Sequence, residues 1–144
     1  MSVSHILGVK GRSVVTANSH ESVHAIATKL AQNRIGAVVV VDDNGGIAGI
    51  VSERDIVRSL ADHGAAAMAQ PVSGIMSKTV RTCKFGDSET ELMALMTTHR
   101  IRHLPVVDGG KLAGMISIGD IVKFRIEAIE REAEEMKTYI ASAG

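Results

Sequence analysis

Two short stretches of the sequence place a serine and an aspartate three residues apart, each behind a glycine. They are Gly49, Ser52 and Asp55, and then Gly114, Ser117 and Asp120. Each follows an apolar β-branched run and precedes a helical pattern, which predicts a helix that begins at the serine. The amides at a helix start attract phosphate, and a carboxylate one turn later can accept both hydroxyls of a ribose. These turns are therefore candidate sites for a sugar phosphate.

The same spacing has a purely structural explanation. Ser-x-x-Asp at a helix start is a capping box in which Asp replaces the usual Glu, and each side chain satisfies a free amide at the other's position. Spacing alone favours the cap, and a cap and a binding site use the same geometry. Both interpretations stay open at this point.

The two turns belong to a tandem repeat. Residues 16–22 match residues 82–88, and residues 35–42 match residues 101–108, at an offset of 66 that falls to 65 beyond a Gly-rich turn. Each unit predicts strand, helix, strand, turn, strand and helix. The expected elements of the first unit are an extended segment at residues 14–15, a helix from Ser22 to near Asn33, and strands over residues 36–41 and 47–51. In the second unit the strands are expected over residues 104–107 and 112–116.

The strand runs are almost continuously apolar, which is typical of strands covered by helices on both faces. Pro105 cannot donate a hydrogen bond to a ladder, so its strand is expected to lie at an edge. The predicted fold class is α/β (α+β), with two β-α-β-β-α repeats and a long C-terminal helix. The expected divisions are a first repeat at 12–62, a connector at 63–76, a second repeat at 77–126 and a helical extension at 127–144.

Composition excludes several classes of function. The chain has 144 residues, equal numbers of basic and acidic residues and three aromatic side chains, so nucleic acid is not an expected partner. The single cysteine, Cys83, excludes an internal disulfide and is expected in the core. No apolar run approaches the roughly 18 residues of a membrane span. A cytoplasmic protein is expected.

The spacing of the histidines and other reactive residues does not predict a catalytic or a metal site. His20 and His24 are four residues apart, as are His99 and His103, but neither pair has a third ligand at metal spacing. No metal is therefore expected. No set of nucleophile, base and orienting group can be named, and P-loop and dinucleotide-fold motifs are absent from the sequence. The chain is not expected to be an enzyme.

Order and duplication of these motifs carry a family resemblance. Each unit resembles a CBS domain, the module named after cystathionine β-synthase, and the pair resembles a tandem CBS (Bateman) module. The matching features are the Thr-x-x-x-x-x-Ser segments at 16–22 and 82–88, the strand at 101–108 and the two Gly-x-x-Ser-x-x-Asp turns. The resemblance implies repeats packed about a pseudo-twofold axis and two clefts for AMP, ADP or ATP, and sometimes for NAD or S-adenosylmethionine.

The resemblance also implies roles for individual residues. Asp55 and Asp120 would hold ribose hydroxyls, Ser52 and Ser117 would meet the phosphate or ribose, Thr16 and Thr82 would line the pocket, and Arg102 and His103 would contact phosphate. Arg54 places a guanidinium beside the first turn, whereas the second turn has Gly119 there. Gly36 and Ala37 replace Arg102 and His103 in the first unit. Two inequivalent pockets of different affinity are therefore expected.

Apolar residues of the C-terminal region recur every three or four positions. They are Val122, Ile126, Ile129, Ala133, Met136 and Ile140. This pattern predicts an amphipathic helix with one apolar seam, packed either on its own domain or, more in keeping with its length, on a second copy in a homodimer. The leading hypothesis is a regulatory module that senses adenosine nucleotides for a partner protein. The alternative is a structural dimerisation scaffold that binds no ligand.

Overall fold

The computed structural model describes residues 2–143, which form two α/β repeats and a long C-terminal helix. The α-helices are α1 (Val3–Lys10), α2 (Val23–Asn33), α3 (Glu53–His63), α4 (Glu89–His99) and α5 (Ile118–Ala143). The strands are β1 (Thr16–Ala17), β2 (Ala37–Val41), β3 (Ile47–Ser52), β4 (His103–Asp108) and β5 (Lys111–Ser117). Two short 3₁₀ helices, Gly64–Ala69 and Val72–Gly74, connect the repeats. Among these helices, none is both long and apolar enough to cross a membrane.

The first repeat contains a three-stranded sheet of order β1-β2-β3. Strand β2 runs parallel to β1 and antiparallel to β3. Its central residues, Val38 to Val40, are fully buried, which confirms the prediction of a strand covered on both faces. The first strand begins later than expected: the pairing lies at Thr16–Ala17 and not at residues 14–15, because Thr16 and Ala17 are the residues in register with β2.

The second repeat keeps only the antiparallel pair β4-β5, and Cys83 joins β4 through a single parallel bridge. The Cys83 amide donates to the Pro105 carbonyl, and the Val107 amide donates to the Cys83 carbonyl. Pro105 occupies the position of Val39 in β2, but it has no N–H with which to extend this parallel ladder. The proline therefore accounts for the shorter sheet, and apart from the single bridge to Cys83 the strand β4 lies at an edge, as predicted.

The segment before each repeat packs on the other repeat. Helix α1, which is not predicted from the sequence, buries Val3, Ile6 and Leu7 in the core of the second repeat. Conversely, Val72 of the connector is buried in the core of the first repeat. The main-chain bridges correspond, since Ser2 pairs with Ser88 and Pro71 pairs with Ser22. This reciprocal exchange follows the pseudo-twofold relation between the repeats and ties them together.

Helix α5 extends well beyond the core. Ile121 and Phe124 in its first turns are buried, and the Arg125 guanidinium pairs with the buried carboxylate of Glu89 at 2.6 Å. Beyond that point the predicted apolar seam is exposed, with Ile129 57% and Ile140 63% accessible. Gly144, at the end of the predicted extension, lies outside the described residues.

Candidate functional site

A cleft of about 740 Å³ opens between the repeats at the start of α3. Its walls come from four parts of the chain, at residues 36–37, 50–58, 77–81 and 100–103. The first two parts belong to the first repeat, the third follows the connector, and the fourth enters β4 of the second repeat. The cleft therefore exists only because the two repeats pack against each other, and its volume is within the usual range for small-molecule sites.

The Ser52–Asp55 pair forms the capping box that its spacing predicts. Asp55 Oδ2 accepts the Ser52 amide at 2.8 Å and the Ser52 hydroxyl at 3.0 Å, and Ser52 Oγ accepts the Asp55 amide at 3.4 Å. Both residues also line the cleft. The cap does not exclude ligand binding, because Asp55 Oδ1 takes no hydrogen bond within residues 2–143 and the Asp55 side chain is 21% exposed.

Arginines dominate the charge of the cleft. Five line it, and they are Arg54, Arg58, Arg81, Arg100 and Arg102, against the two carboxylates of Glu53 and Asp55. Arg58 is the arginine that approaches Asp55, with Nη1 3.9 Å from Oδ1. Together with the N-terminus of α3, these guanidinium groups form a surface that suits an anion with several charged oxygens.

His103 of the second repeat lines the cleft and contacts the first repeat. Its ring packs against Gly36, where a Cβ would lie 3.1 Å from His103 Cε1. Burial lowers the pKa of His103, and the positive charge of Lys10 lowers it further, while the carboxylates of Asp120 and Glu53 act in the opposite direction. The ring is therefore neutral at neutral pH and available as a hydrogen-bonding group, not as a cation.

The second turn repeats the cap but not its surroundings. Asp120 Oδ2 accepts the Ser117 amide at 2.8 Å, and Ser117 Oγ accepts the Asp120 amide at 3.1 Å. Lys10 Nζ reaches the same Asp120 oxygen at 2.6 Å. Burial raises the pKa of Asp120, but the hydrogen bonds from Lys10 and Ser117 and the Lys10 charge outweigh it and hold the pKa below its usual value.

Five of the nine residues that are predicted from the sequence to bind a nucleotide lie together in the structure. Ser52, Arg54, Asp55, Arg102 and His103 line the cleft. Ser117 and Asp120 lie at the start of α5, beside Lys10. Thr16 lies in β1, where its carbonyl accepts Lys29 Nζ at 2.9 Å, and Thr82 is exposed beside Cys83; neither is among the residues that form the cleft walls.

Several cleft residues are absent from the sequence-based prediction. Arg58, Thr79, Arg81 and Arg100 all line the cleft. Arg58 stands one helical turn after Asp55, a signal that the sequence did carry. Arg100 adopts a left-handed conformation, φ 54°, which ends α4 and turns the chain into the cleft.

Other reactive side chains lie outside the cleft. Cys83 is only 2% exposed in the core of the second repeat, as predicted. Burial raises the pKa of the Cys83 thiol to about 12, with a smaller contribution from the charge of Asp87, so the thiol is inert at neutral pH. Across residues 2–143, no three His, Cys, Asp or Glu side chains lie close enough together to hold a metal ion.

Comparison with known proteins agrees with this architecture. The CBS domain family model matches residues 5–62 and 72–127. A CBS-domain-containing protein from Agrobacterium tumefaciens is 46% identical, with a TM-score of 0.85 over 87% of this chain and 99% of that one. A CBS domain protein from Pyrobaculum aerophilum, solved with AMP, is 30% identical, with a TM-score of 0.75 over 83% of this chain and 89% of that one.

A further solved relative carries different ligands. The CBS domain pair of protein MJ0100, in complex with 5'-methylthioadenosine and S-adenosyl-L-methionine, is 25% identical, with a TM-score of 0.80 over 89% of this chain and 98% of that one. The two family matches coincide with the two repeats and take in the cleft between them. This chain belongs to the CBS domain family and is a tandem CBS pair.

Proposed function

We propose that this CBS pair is a regulatory module that binds an adenosine nucleotide in the cleft at Asp55 and reports its occupancy to a partner protein. The observation that carries the proposal is a carboxylate and a helix N-terminus beside five arginines in one cleft. Asp55 Oδ1 would accept the ribose hydroxyls, and the arginines with the α3 amides would hold the phosphates. Relatives solved with AMP and with S-adenosyl-L-methionine support an adenosine ligand.

The charge of the cleft discriminates among the adenosine compounds. S-adenosylmethionine carries a sulfonium and an ammonium group against a single carboxylate, and five arginines against two carboxylates would repel this net positive charge. AMP, ADP and ATP bring increasing negative charge to the same surface. We therefore expect affinity to rise from S-adenosylmethionine through AMP to ADP and ATP, with NAD, whose diphosphate is internal, between the extremes.

The apolar stripe along the cleft walls would hold the base. Ala37, Ile50, Val57, Val80 and Ile101 supply aliphatic surface beside the polar groups. Such a slot suits a flat, weakly polar ring. The Ser52 hydroxyl donates to Asp55 Oδ2 at 3.0 Å, but both side chains also form the cap of α3. We therefore propose sensing and not turnover, and a long incubation with ATP should yield no product.

A thermal shift and a matched pair of variants test the proposal. A ligand at about 100 times its Kd adds about 2.7 kcal/mol of stability, which for a chain of this size raises Tm by roughly 5–10 °C. Arg100→Ala should weaken the binding of ATP far more than the binding of adenosine. Arg34→Ala is the control, because Arg34 ends α2 with the same φ of 54° but does not line the cleft.

Two results would refute the sensing proposal. One is a Tm that no adenosine compound moves; the other is an Arg100→Ala variant that behaves like Arg34→Ala. Either outcome would favour the alternative, in which the capping boxes only stabilise helices and the chain serves as a dimerisation scaffold.

We also infer that the chain forms a homodimer through a parallel pairing of α5. The exposed seam repeats at alternating steps of four and three residues, as in a coiled coil. In a parallel, in-register pair, Glu132 of one copy would face Lys137 of the other, a pair opposite in charge, and Glu130 would face Arg125, whose guanidinium also contacts Glu89 within its own chain. An antiparallel pair of α5 helices that keeps the same apolar seam would place Glu130 of one copy opposite Glu130 of the other.

Charge reversal tests this dimer and its direction. Lys137→Glu and Glu132→Lys should each weaken the dimer, and the double variant should restore it, because the pair is then reversed but still attractive. Ile129→Asp should give a monomer by light scattering. A wild-type chain that stays monomeric at high concentration, or a double variant weaker than both single variants, would contradict the parallel arrangement.

A further inference from the structure

We infer that Lys10 closes the second nucleotide cleft, so that the pair binds its ligand at Asp55 and not at Asp120. This inference rests on the proposed function of the Asp55 cleft. Lys10 lies at the C-terminal end of α1, which crosses from the first repeat onto the second. Its ammonium donates to Asp120 Oδ2 at 2.6 Å and to the Met115 carbonyl at 2.8 Å.

The pseudo-symmetry of the two repeats identifies the residue that takes the place of Lys10 at the open cleft. The crossing segments correspond at an offset of 69, since Ser2 pairs as Pro71 does. At that offset Leu7 corresponds to Met76, and each of these side chains lies against the matching glycine, Gly114 or Gly49. Carried three residues further along the chain, this offset places Thr79, which lines the open cleft, opposite Lys10.

Lys10 and Thr79 differ in what they do to the neighbouring aspartate. The Asp120 carboxylate is neutralised by an ammonium in direct contact, whereas the cation nearest to Asp55 is Arg58, at 3.9 Å. A ribose diol must use carboxylate oxygens as acceptors, so at Asp120 it would compete with a charge-assisted hydrogen bond that is already formed. A second anchor, the Met115 carbonyl, holds the ammonium in place.

The second turn also has fewer arginines that could bind a phosphate. Gly119 and Lys123 stand where the first turn has Arg54 and Arg58, the two arginines that α3 contributes to the open cleft. A nucleotide that displaced Lys10 from Asp120 would therefore find fewer guanidinium groups for its phosphates. The sequence predicts two pockets of different affinity, and the contact made by Lys10 is a cause of that difference that one substitution can remove.

A reciprocal swap tests the inference by titration calorimetry with AMP and with ATP. The wild type should bind one nucleotide per chain. Lys10→Thr should bind two, and Thr79→Lys should weaken binding at the Asp55 cleft at least tenfold. Lys111→Thr removes a lysine from the exposed start of β5 and should leave the stoichiometry at one.

Two further readouts separate loss of folding from loss of binding. All variants should melt cooperatively, and the Asp120 pKa, followed by NMR, should rise in Lys10→Thr. The double variant Lys10→Thr with Asp55→Ala should bind one nucleotide, because only the second cleft is then usable.

The inference is wrong if the wild type binds two nucleotides, or if Lys10→Thr still binds only one while its Asp120 pKa has risen. Failure of the proposed function has a different signature. If the wild type binds none, the Asp55 cleft is not a nucleotide site; binding of one nucleotide by Lys10→Thr would then still support closure by Lys10, and binding of none would overturn it.

Discussion

Replacement of Asp55 by alanine separates the structural role of this carboxylate from its proposed binding role. The variant loses the acceptor for the Ser52 amide, now at 2.8 Å, and the negative charge in the first turn of α3. Loss of a cap costs about 1 kcal/mol, and the charge at the helix start contributes about 0.3–1 kcal/mol more. We expect the free energy of unfolding to fall by roughly 1–2 kcal/mol.

The expected loss of affinity is larger than the loss of stability. Two ribose hydroxyls on one carboxylate would form two charge-assisted hydrogen bonds, each with a net value of about 1.5–3 kcal/mol. Their loss, about 3 kcal/mol at the lower bound, corresponds to a rise of roughly a hundredfold in the Kd for ATP. Asp55→Asn keeps the shape and one acceptor but loses the charge, so its Kd should rise by about tenfold.

Calorimetry for Kd and urea unfolding for stability provide the two readouts. Ser22→Ala is the matched control, since Ser22 caps α2 through the Ala25 amide at 3.1 Å and lies away from the cleft. It should lose about 1 kcal/mol of stability and bind ATP normally. If Asp55→Ala behaves like Ser22→Ala, with Kd unchanged within about twofold, Asp55 is only a cap and the proposed role is wrong.

Two further predictions concern packing and pH. Gly49→Ala should destabilise by about 1–3 kcal/mol, because its Cβ would lie 2.9 Å from the Ser77 carbonyl oxygen, a main-chain atom. Gly114→Ala should cost less, because the atom that its Cβ would meet at 2.7 Å is the end of the Leu7 side chain, which shifts more readily than a main-chain atom; equal losses in urea unfolding would contradict this. The lowered pKa of His103 means that the stability it contributes is present above pH 6.5 and is lost as the pH falls through its folded-state pKa. His103→Gln should flatten the decline of Tm between about pH 7 and about pH 5, and an unchanged decline would show that another group causes it.

The sequence predicts the repeats well because their signals are local. Each signal depends on residues that are close together in the sequence, as in the β-branched runs, the Gly-rich turns and the Ser-x-x-Asp spacing. The capping boxes at Ser52 and Ser117 and the long helix α5 are found where these patterns place them. The missing strand of the second repeat is also readable, since Pro105 removes the donor that a longer parallel ladder requires.

The walls of the cleft are much less predictable, because they come from segments far apart in the chain. The crossing segments correspond at an offset of 69 and the repeats at 66, so alignment of the repeats does not reveal that α1 and the connector exchange places. Arg81 and Arg100 enter the cleft from a loop and from a helix end whose directions tertiary packing sets. Lys10 lies 110 residues before Asp120, and no pattern in the sequence around Lys10 predicts their contact.

Duplication explains why so small a change can make the two clefts unequal. Both turns keep the same backbone and the same cap, since the cap stabilises a helix whether or not a ligand binds. Side chains from the exchanged segments, such as Lys10 and Thr79, do not take part in either cap. These positions can therefore differ between the two repeats without loss of the helix start. A mutation at one such position therefore alters a cleft and leaves the helix start intact. This separation predicts that ligand preference in the Asp55 cleft can be changed through Thr79 at little cost in stability, whereas Asp55 itself cannot be changed without a cost in both.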